Sequence, residues 1–572
     1  MKHSISRARL AVSAAVTAGL CLTGTAALTT PSQAAPGVCD TAFPVANLTP
    51  DQLVHGLTVT SGTAPTTFDG TIIGVLKDGI EPGVDMVMAK LSSPVISEAG
   101  IWAGMSGSPV YAENGDLIGA VAYTLSFGQT SIAGITPWED MQTWAGQPVP
   151  LRVQVPASAA RQIAAKTSVT QVQAAQGFHE LKAPTLVSGL SQRVLDRATG
   201  RPYLTKGATA AGQAAVSPTV SDIVAGGNLV ATASTGDIVQ GGLGTVTSVC
   251  NDRVVGFGHP MNFVGKTTFG LAGADTLFIQ PDAVFGSFKV ANIGSVLGTI
   301  DQDRATGISG LLNALPPEID ITSTVTYTPT EGAPRTRTGS SQVQVPAASA
   351  DTAFLELLAN HQTVMDAFQP GSENQSWTIT GHTADGPFTL DGSNLYTDRF
   401  DIAFGSVFDL PDLLWLLHKI NGVTVDSVDV TSDVNDSTDL LKIKGLQQRR
   451  GGAWVTVGKG HPALGKAGHA VRLRLVFRDG QPGHAFSFNL PKRSAGMRAQ
   501  IFTAGGESFP FERHRPTTLA GIEKLVKTMT RNDQAQVAVF GFGGRRSLQL
   551  QTTTPAEGLV IGGRGSFKMI IS

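Results

Sequence analysis

The sequence predicts a mainly β protein built from several domains, and three observations carry that expectation. At 572 residues the chain is several times longer than an ordinary domain of roughly 100–200 residues. Its 66 Gly and 31 Pro are enough to punctuate many short segments, yet too few for a low-complexity polymer. Between them lie short apolar runs, some continuous and some alternating with polar residues, as buried and half-buried strands require. Hydrophobic residues make up 41% and charged residues 15%, so the chain can fill sizeable cores and is not a charge-repelled disordered polymer.

Residues 1–35 read as an export signal: Lys2, Arg7 and Arg9, an apolar stretch, then Ser32 and Ala34 before Ala35-Pro36. Leu20 precedes Cys21 where lipid attachment wants a small residue. No later segment is apolar for long enough to span a bilayer, so the mature chain is expected to lack a transmembrane segment and to work outside the cytoplasmic membrane. Losing the three charges of Lys2, Arg7 and Arg9 takes the formal net charge from −2 to −5, with no basic run, which argues against nucleic acid as a partner. Cys39 and Cys250 then remain, in a compartment that permits a disulfide between them. No Cys-x-x-Cys or His-x-x-x-His spacing occurs, so neither a metal nor another cofactor is expected.

Residues 53–141 carry strand patterns at 71–76, 84–91, 109–111 and 117–123, with Asn114-Gly115 as a hairpin turn. From about 145 to 225 the composition shifts to Ala, Gln, Thr and Ser, read as an inserted connector with a strand and helix near 184–195. Short strands return over 229–308. Residues 313–422 read as an α+β region, with apolar helical spacing at Phe354, Leu357, Leu358, Met365 and Phe368 and a second helix over 410–420. From 423 to 572 alternating segments such as Val471, Leu473, Leu475 and Phe477 predict a β-sandwich.

The sharpest chemical signal is Ala103-Gly-Met-Ser-Gly-Ser-Pro109. A serine hydroxyl needs a base and fixed donors to act as a nucleophile. Ser106 has glycines on both sides that can turn the Gly104 and Ser106 N–H groups toward one point as an oxyanion site. The base candidate is His259, at the end of the apolar run in Val254-Val-Gly-Phe-Gly-His-Pro260; His55 and His179 are weaker alternatives. Gly460-His461-Pro462 repeats the tripeptide in a polar loop, where His461 reads as structural.

Gly-x-Ser-Gly-x-Pro resembles the nucleophile loop of trypsin-like β-barrel peptidases. Together with Gly242-Leu-Gly-Thr-Val-Thr247 and Gly258-His259, the segment resembles the SpoIVB-type sporulation-signalling serine peptidases over roughly residues 53–312. Gly115-Asp-Leu-Ile-Gly-Ala120, Gly294-Ser-Val-Leu-Gly-Thr-Ile300 and Gly307-Ile-Ser-Gly310 add to the likeness. The resemblance implies a chymotrypsin-like double β-barrel over 36–312, with Ser106 as nucleophile and His259 as base. Serine and histidine segments stand in reversed chain order, as if the barrel halves were permuted. No carboxylate stands where the family's acid precedes the nucleophile; Asp237, upstream of the glycine-threonine motif, is the matching acid, with Asp85 and Asp275 as alternatives.

The expected function is therefore an exported serine endopeptidase acting on a protein or peptide substrate, including itself, through an acyl-enzyme. The alternative is a non-catalytic exported scaffold that keeps the barrel. A carbohydrate-active protein lacks support because no carboxylate pair is recognisable.

Overall fold

The computed structural model describes residues 39–125, 128–142, 152–181, 185–187, 209–210, 212–213, 217–284, 286–506, 516–543 and 546–572. The leader at 1–35 and the helix expected near 188–195 lie outside the described residues. Six strands open the fold: β1 (Leu53–Thr58), β2 (Thr66–Glu81), β3 (Val84–Ser92), β4 (Pro109–Ala112), β5 (Leu117–Leu125) and β6 (Ile132–Pro137). They pair antiparallel in the order β1-β2-β3-β6-β5-β4, and β4 returns to β1 through Val54 to Gly56, closing a barrel. Closure leaves no open edge among the six, and Ile72, Val87, Ile118, Val121 and Ile135 fill the interior. The Asn114-Gly115 turn forms as the sequence predicts: Gly115 takes φ +87° and Ala112 N–H donates to Asp116 O.

Next come β7 (Arg152–Val153), β8 (Phe178–Glu180), β9 (Thr185–Val187), β10 (Thr209–Ala210) and β11 (Gly212–Gln213). This is the stretch read as a connector, yet its described strands join the two sheets, β8 on β5 and β9 on β13. The helix Ala157–Lys166 lays Ala160 and Ile163 on the first barrel beside Phe178, and β8 pairs with β5.

A second set of six follows: β12 (Asn228–Gly236), β13 (Gln240–Cys250), β14 (Arg253–Gly256), β15 (Gly265–Gln280), β16 (Phe288–Arg304) and β17 (Gly307–Leu312). Their antiparallel pairings also return on themselves, running β12-β13-β14-β17-β16-β15 and back to β12. Counted within each set, both have the strand order first, second, third, sixth, fifth, fourth. Ser106 and His259 occupy the same place in each, the connection from third to fourth strand.

Beyond them, β18 (Ile319–Thr328), β19 (Arg335–Val343), β20 (Gly371–Thr383), β21 (Gly386–Asp398) and β22 (Thr424–Asn435) extend the sheet from β12 through β19. The helices Ser349–Met365 and Asp409–His418 cover it, burying Phe354, Leu357, Leu358, Leu413 and Leu414 against Ile321, Val325, Val428 and Val430. The apolar spacing seen in the sequence is thus core packing for Phe354, Leu357, Leu358 and Met365, whereas Phe368 lies beyond the helix and is exposed. One boundary moves: β22 lies between β18 and β20, so the sandwich begins at Leu440 rather than 423. Its two sheets enclose Leu446, Leu473, Leu475, Ile501, Val537 and Met569.

Cys39 and Cys250 form a disulfide with a Cα–Cα distance of 4.8 Å, tying the start of the described chain to the end of β13. Asp40 next to it accepts a hydrogen bond from the Ser248 hydroxyl. The bridge closes a sequence separation of 211 residues. Cys39→Ser is expected to lower stability by roughly 3–5 kcal/mol, read as a fall in the urea midpoint with a slope that rises as the unfolded chain loses its cross-link. No helix among the described residues is long and apolar enough to cross a membrane.

Candidate active site

The serine loop leaves β3 through a short helix, Pro94–Ala99, whose N-cap Ser93 accepts from Ile96 N–H. From there to β4 it is fastened to the second set of strands. Ala103 N–H donates to Ser287 O at 2.8 Å, and Lys289 N–H donates to Ala103 O at 3.0 Å. The glycine-threonine motif explains itself in β13, where it grips the loop. Thr245 N–H donates to Ser106 O (2.8 Å), the Thr245 hydroxyl to Gly104 O (3.1 Å) and the Thr247 hydroxyl to Gly107 O (2.8 Å). A side chain at Gly107 is excluded twice over: φ is +98°, and a Cβ would stand 1.9 Å from Thr245 O.

Within this loop the amides divide. Those of Ala103, Met105, Gly107 and Ser108 all donate to carbonyls, whereas those of Gly104 and Ser106 have no acceptor among the described residues. Buried N–H groups are almost always paired, so two unpaired ones flanking one serine form a donor pair awaiting an acceptor. These are the two amides the sequence singles out. The Ser106 side chain is itself fully buried, and its Oγ has no partner among the described residues.

His259 reaches the same place from β14. Phe257 and Gly258 turn the chain with φ +68° and +70°, the first a left-handed conformation that a bulky residue rarely adopts and that marks a constrained site. Gly258 fits because a Cβ there would stand only 3.0 Å from the Cβ atoms of Ala120 and Ala122 in β5. Thr136 of β6 donates to Gly258 O at 2.6 Å, and Phe257 N–H donates to Thr245 O at 3.3 Å. Thr245 therefore touches both loops, so residues far apart in sequence are held at one juncture between the two sets of strands.

The imidazole is 1% exposed, and burial pushes its pKa down to about 4 against the opposing pull of Pro260 O, the Asp303 charge and the Leu181 backbone. It is neutral at physiological pH. Nδ1 lies 2.7 Å from Pro260 O, a group that can only accept, so Nδ1 carries the proton. Nε2 is left as a lone pair with no partner among the described residues, the form a general base needs. Ser106 Oγ and His259 Nε2 do not hydrogen-bond each other in this state.

Asp237, the acid expected from the sequence, makes a 2.6 Å ion pair with Arg337 that ties the β12–β13 turn to β19. Asp85 pairs with Lys77, and Asp275 stands opposite Asn292 in the β15–β16 hairpin. Asp303, fully buried at the end of β16, is a carboxylate whose charge acts on His259. It accepts from Met261 and Asn262 N–H at 2.8 Å each and from Val264 N–H at 3.3 Å, so it holds the segment immediately after His259. Its charge also favours the imidazolium. Glu180, from β8, lies closer to the ring, Oε1 3.4 Å from Nδ1. Neither stood out in the sequence, although Asp303 shortly precedes the Gly307-Ile-Ser-Gly310 motif. Of the other histidines, His55 is exposed and stacks on Tyr111, His179 lies opposite Thr124, and His461 sits in an exposed turn.

Lys289 completes the surroundings. It is 1% exposed, its Nζ donates to Asn228 Oδ1 at 2.9 Å, and burial pushes its pKa down to about 7. Its Cβ packs against Gly104. Among the described residues no group of His, Cys, Asp and Glu is arranged to hold a metal. The chain matches no known family model, no curated protein and no solved structure.

Proposed function

We propose that the protein is an exported serine peptidase of SpoIVB type. Its two strand sets would act as a chymotrypsin-like double β-barrel in permuted order, with the site at their juncture. Ser106 Oγ attacks the scissile carbonyl while His259 Nε2 takes its proton. The Gly104 and Ser106 amides hold the oxyanion, and His259 returns the proton to the leaving amine. Asp303 fixes the histidine segment and stabilises the imidazolium as it forms. The observation that carries this reading is the set of four unpartnered groups at one buried juncture: the Ser106 Oγ, the His259 Nε2 lone pair and the Gly104 and Ser106 amides. Such groups are costly to bury unless a reaction uses them. The complete burial of Ser106 favours a second reading, a scaffold that keeps the barrels without catalysis.

The two are separated by a small fluorophosphonate. The peptidase reading expects Ser106 to be modified, found by mass spectrometry of the labelled peptide, and Ser106→Ala to abolish labelling. A folded protein that resists the reagent from pH 6 to 9 and cleaves no unfolded protein supports the scaffold. Intact-mass analysis of protein from its host medium should give Ala35 or Pro36 as the first residue; finding chiefly Met1 there contradicts export.

A further inference from the structure

Charge is divided unevenly along the chain. Residues 440–572, which include the β-sandwich, hold 21 Lys and Arg against 6 Asp and Glu, a formal charge of +15. Residues 36–439 hold 18 against 38, or −20, so the small net charge conceals a strongly basic domain joined to a strongly acidic remainder. The strands that follow β22 are β23 (Leu440–Arg450), β24 (Ala453–Val457), β25 (Ala463–Gly465), β26 (Ala470–Phe477) and β27 (Pro482–Asn489). One sheet of the sandwich has the order β24-β23-β26-β27, and β25 joins the other. Burial of Leu446, Leu473, Leu475, Phe486 and Phe488 on the inner face sends the alternate residues outward, among them Arg449, Arg472 and Arg474. Gln447 stands opposite Arg474 and Gln448 opposite Leu473, so the next residue, Arg449, lies beside Arg472. On the edge strand Trp454 stands opposite Arg449, and the guanidiniums of Arg474 and Arg449 lie 4.4 and 5.6 Å from its ring centroid. Arg474 Nε also donates to Gln447 Oε1 at 2.8 Å. None of the three arginines is in an ion pair among the described residues, and these four strands contain no Asp or Glu.

We infer that the outer face of this sheet binds an acidic polysaccharide, gripping its carboxylates with Arg449, Arg472 and Arg474. A guanidinium fork matches the two oxygens of a carboxylate, and arginines without an acidic partner keep that capacity. Strand geometry sets Arg472 and Arg474 about 7 Å apart, with Arg449 about 5 Å away on the next strand, so several acidic groups of one extended polymer are met at once. Gln447, Thr456, Ser487 and Asn489 share the face and offer hydrogen bonds to sugar hydroxyls. Trp454 decides against other polyanions. Its ring is occupied by guanidiniums, so it is not free to stack on a nucleobase or to sit in a lipid interface. The acidic remainder of the chain repels the same polymer and confines contact to the sandwich. The inference rests on charge and strand pairing and stands apart from the peptidase reading.

The test measures binding of fluorescent polygalacturonate to the whole protein at low salt. The reference is the methyl-esterified polymer, which keeps the sugars and loses the charge. The parent should bind the acid form at least about tenfold more tightly, with an affinity that falls as salt rises. Arg449→Gln with Arg472→Gln and Arg474→Gln, checked for a native circular dichroism spectrum, should weaken binding by about tenfold or more. Arg472→Gln alone, at an exposed position, should weaken it about threefold even where the triple variant does not fold. Arg498, Arg564 and Lys568 are exposed on the outer face of the other sheet, and replacing all three by Gln removes as many charges but should weaken binding less than about threefold. Equal losses from the two triple variants, or equal binding of the acid and esterified polymers, overturn the inference. Tighter binding of a single-stranded DNA oligonucleotide or of phosphatidylglycerol vesicles than of polygalacturonate overturns it in favour of that polyanion. Self-association at low salt with no polymer binding, seen by sedimentation and lost in the Arg449, Arg472 and Arg474 variant, assigns the face to the acidic part of a second copy and overturns it as well.

Discussion

Replacing His259 by alanine is expected to slow fluorophosphonate modification of Ser106 by about 10²–10⁴-fold, the usual contribution of a positioned general base. Because burial holds the imidazole near pKa 4, the base is already neutral at pH 6, and the labelling rate of the parent should stay level from pH 8 to 5 and fall only near 4. A rate that falls through pH 6.5, the ordinary histidine value, would mean that the ring is solvated when it reacts. The same depression has a thermodynamic sign. Between about pH 4 and 6.5 the unfolded chain binds a proton that the folded chain does not, so stability is fully present above 6.5 and declines as the pH falls through that window. The gap corresponds to about 3 kcal/mol, an order-of-magnitude figure, and His259→Gln should remove this part of the acid dependence. Asp303→Asn should lower labelling as well, since it weakens both the grip on Met261 to Val264 and the charge that favours the imidazolium.

Lys289→Met is expected to stabilise the fold by about 2–4 kcal/mol at pH 7, measured by urea unfolding. The ammonium is buried with a single hydrogen bond among the described residues, to Asn228 Oδ1, and methionine fills nearly the same volume without a charge. Asn228 Oδ1 keeps a partner, because the Thr276 hydroxyl donates to it at 3.2 Å. The folded pKa of about 7 lies below the ordinary 10.5, so between these values the unfolded chain binds the extra proton and parental stability rises with pH. The gain from Lys289→Met should therefore shrink toward pH 10.5. A variant that is less stable than the parent at pH 7 would show that the lysine makes a contribution its burial does not reveal.

The geometry of the proposed nucleophile loop was legible because it is set locally. Glycine on either side of Ser106 and proline at 109 appear in the sequence as they appear in the fold, and the two amides expected to serve an oxyanion are the two left unpaired among the described residues. His259 was legible for a similar reason, as a histidine ending an apolar strand. The acid was not. Asp303 comes from the far end of a seventeen-residue strand and reaches the segment after His259 only through pairing of β14, β16 and β17, information that no short motif carries. Asp237 was favoured by its spacing from Gly242, and the structure uses that spacing to reach Arg337 instead. The segment at 145–225 was read from its small and polar composition as a connector, yet Ala160, Ile163 and Phe178 are buried and Glu180 and Leu181 lie on the site. At 423 the boundary failed because β22 alternates apolar and polar residues just as the sandwich strands do; only its parallel pairing with β18 places it in the preceding sheet.

The most direct test of the central claim is a crystal structure of the protein after reaction with a fluorophosphonate. The account predicts a phosphonyl group on Ser106 Oγ, with one phosphonyl oxygen within about 3.1 Å of both the Gly104 and Ser106 nitrogens and His259 Nε2 facing the adduct. A phosphonyl group on a different residue, or an oxygen on Ser106 that neither amide reaches, would contradict it.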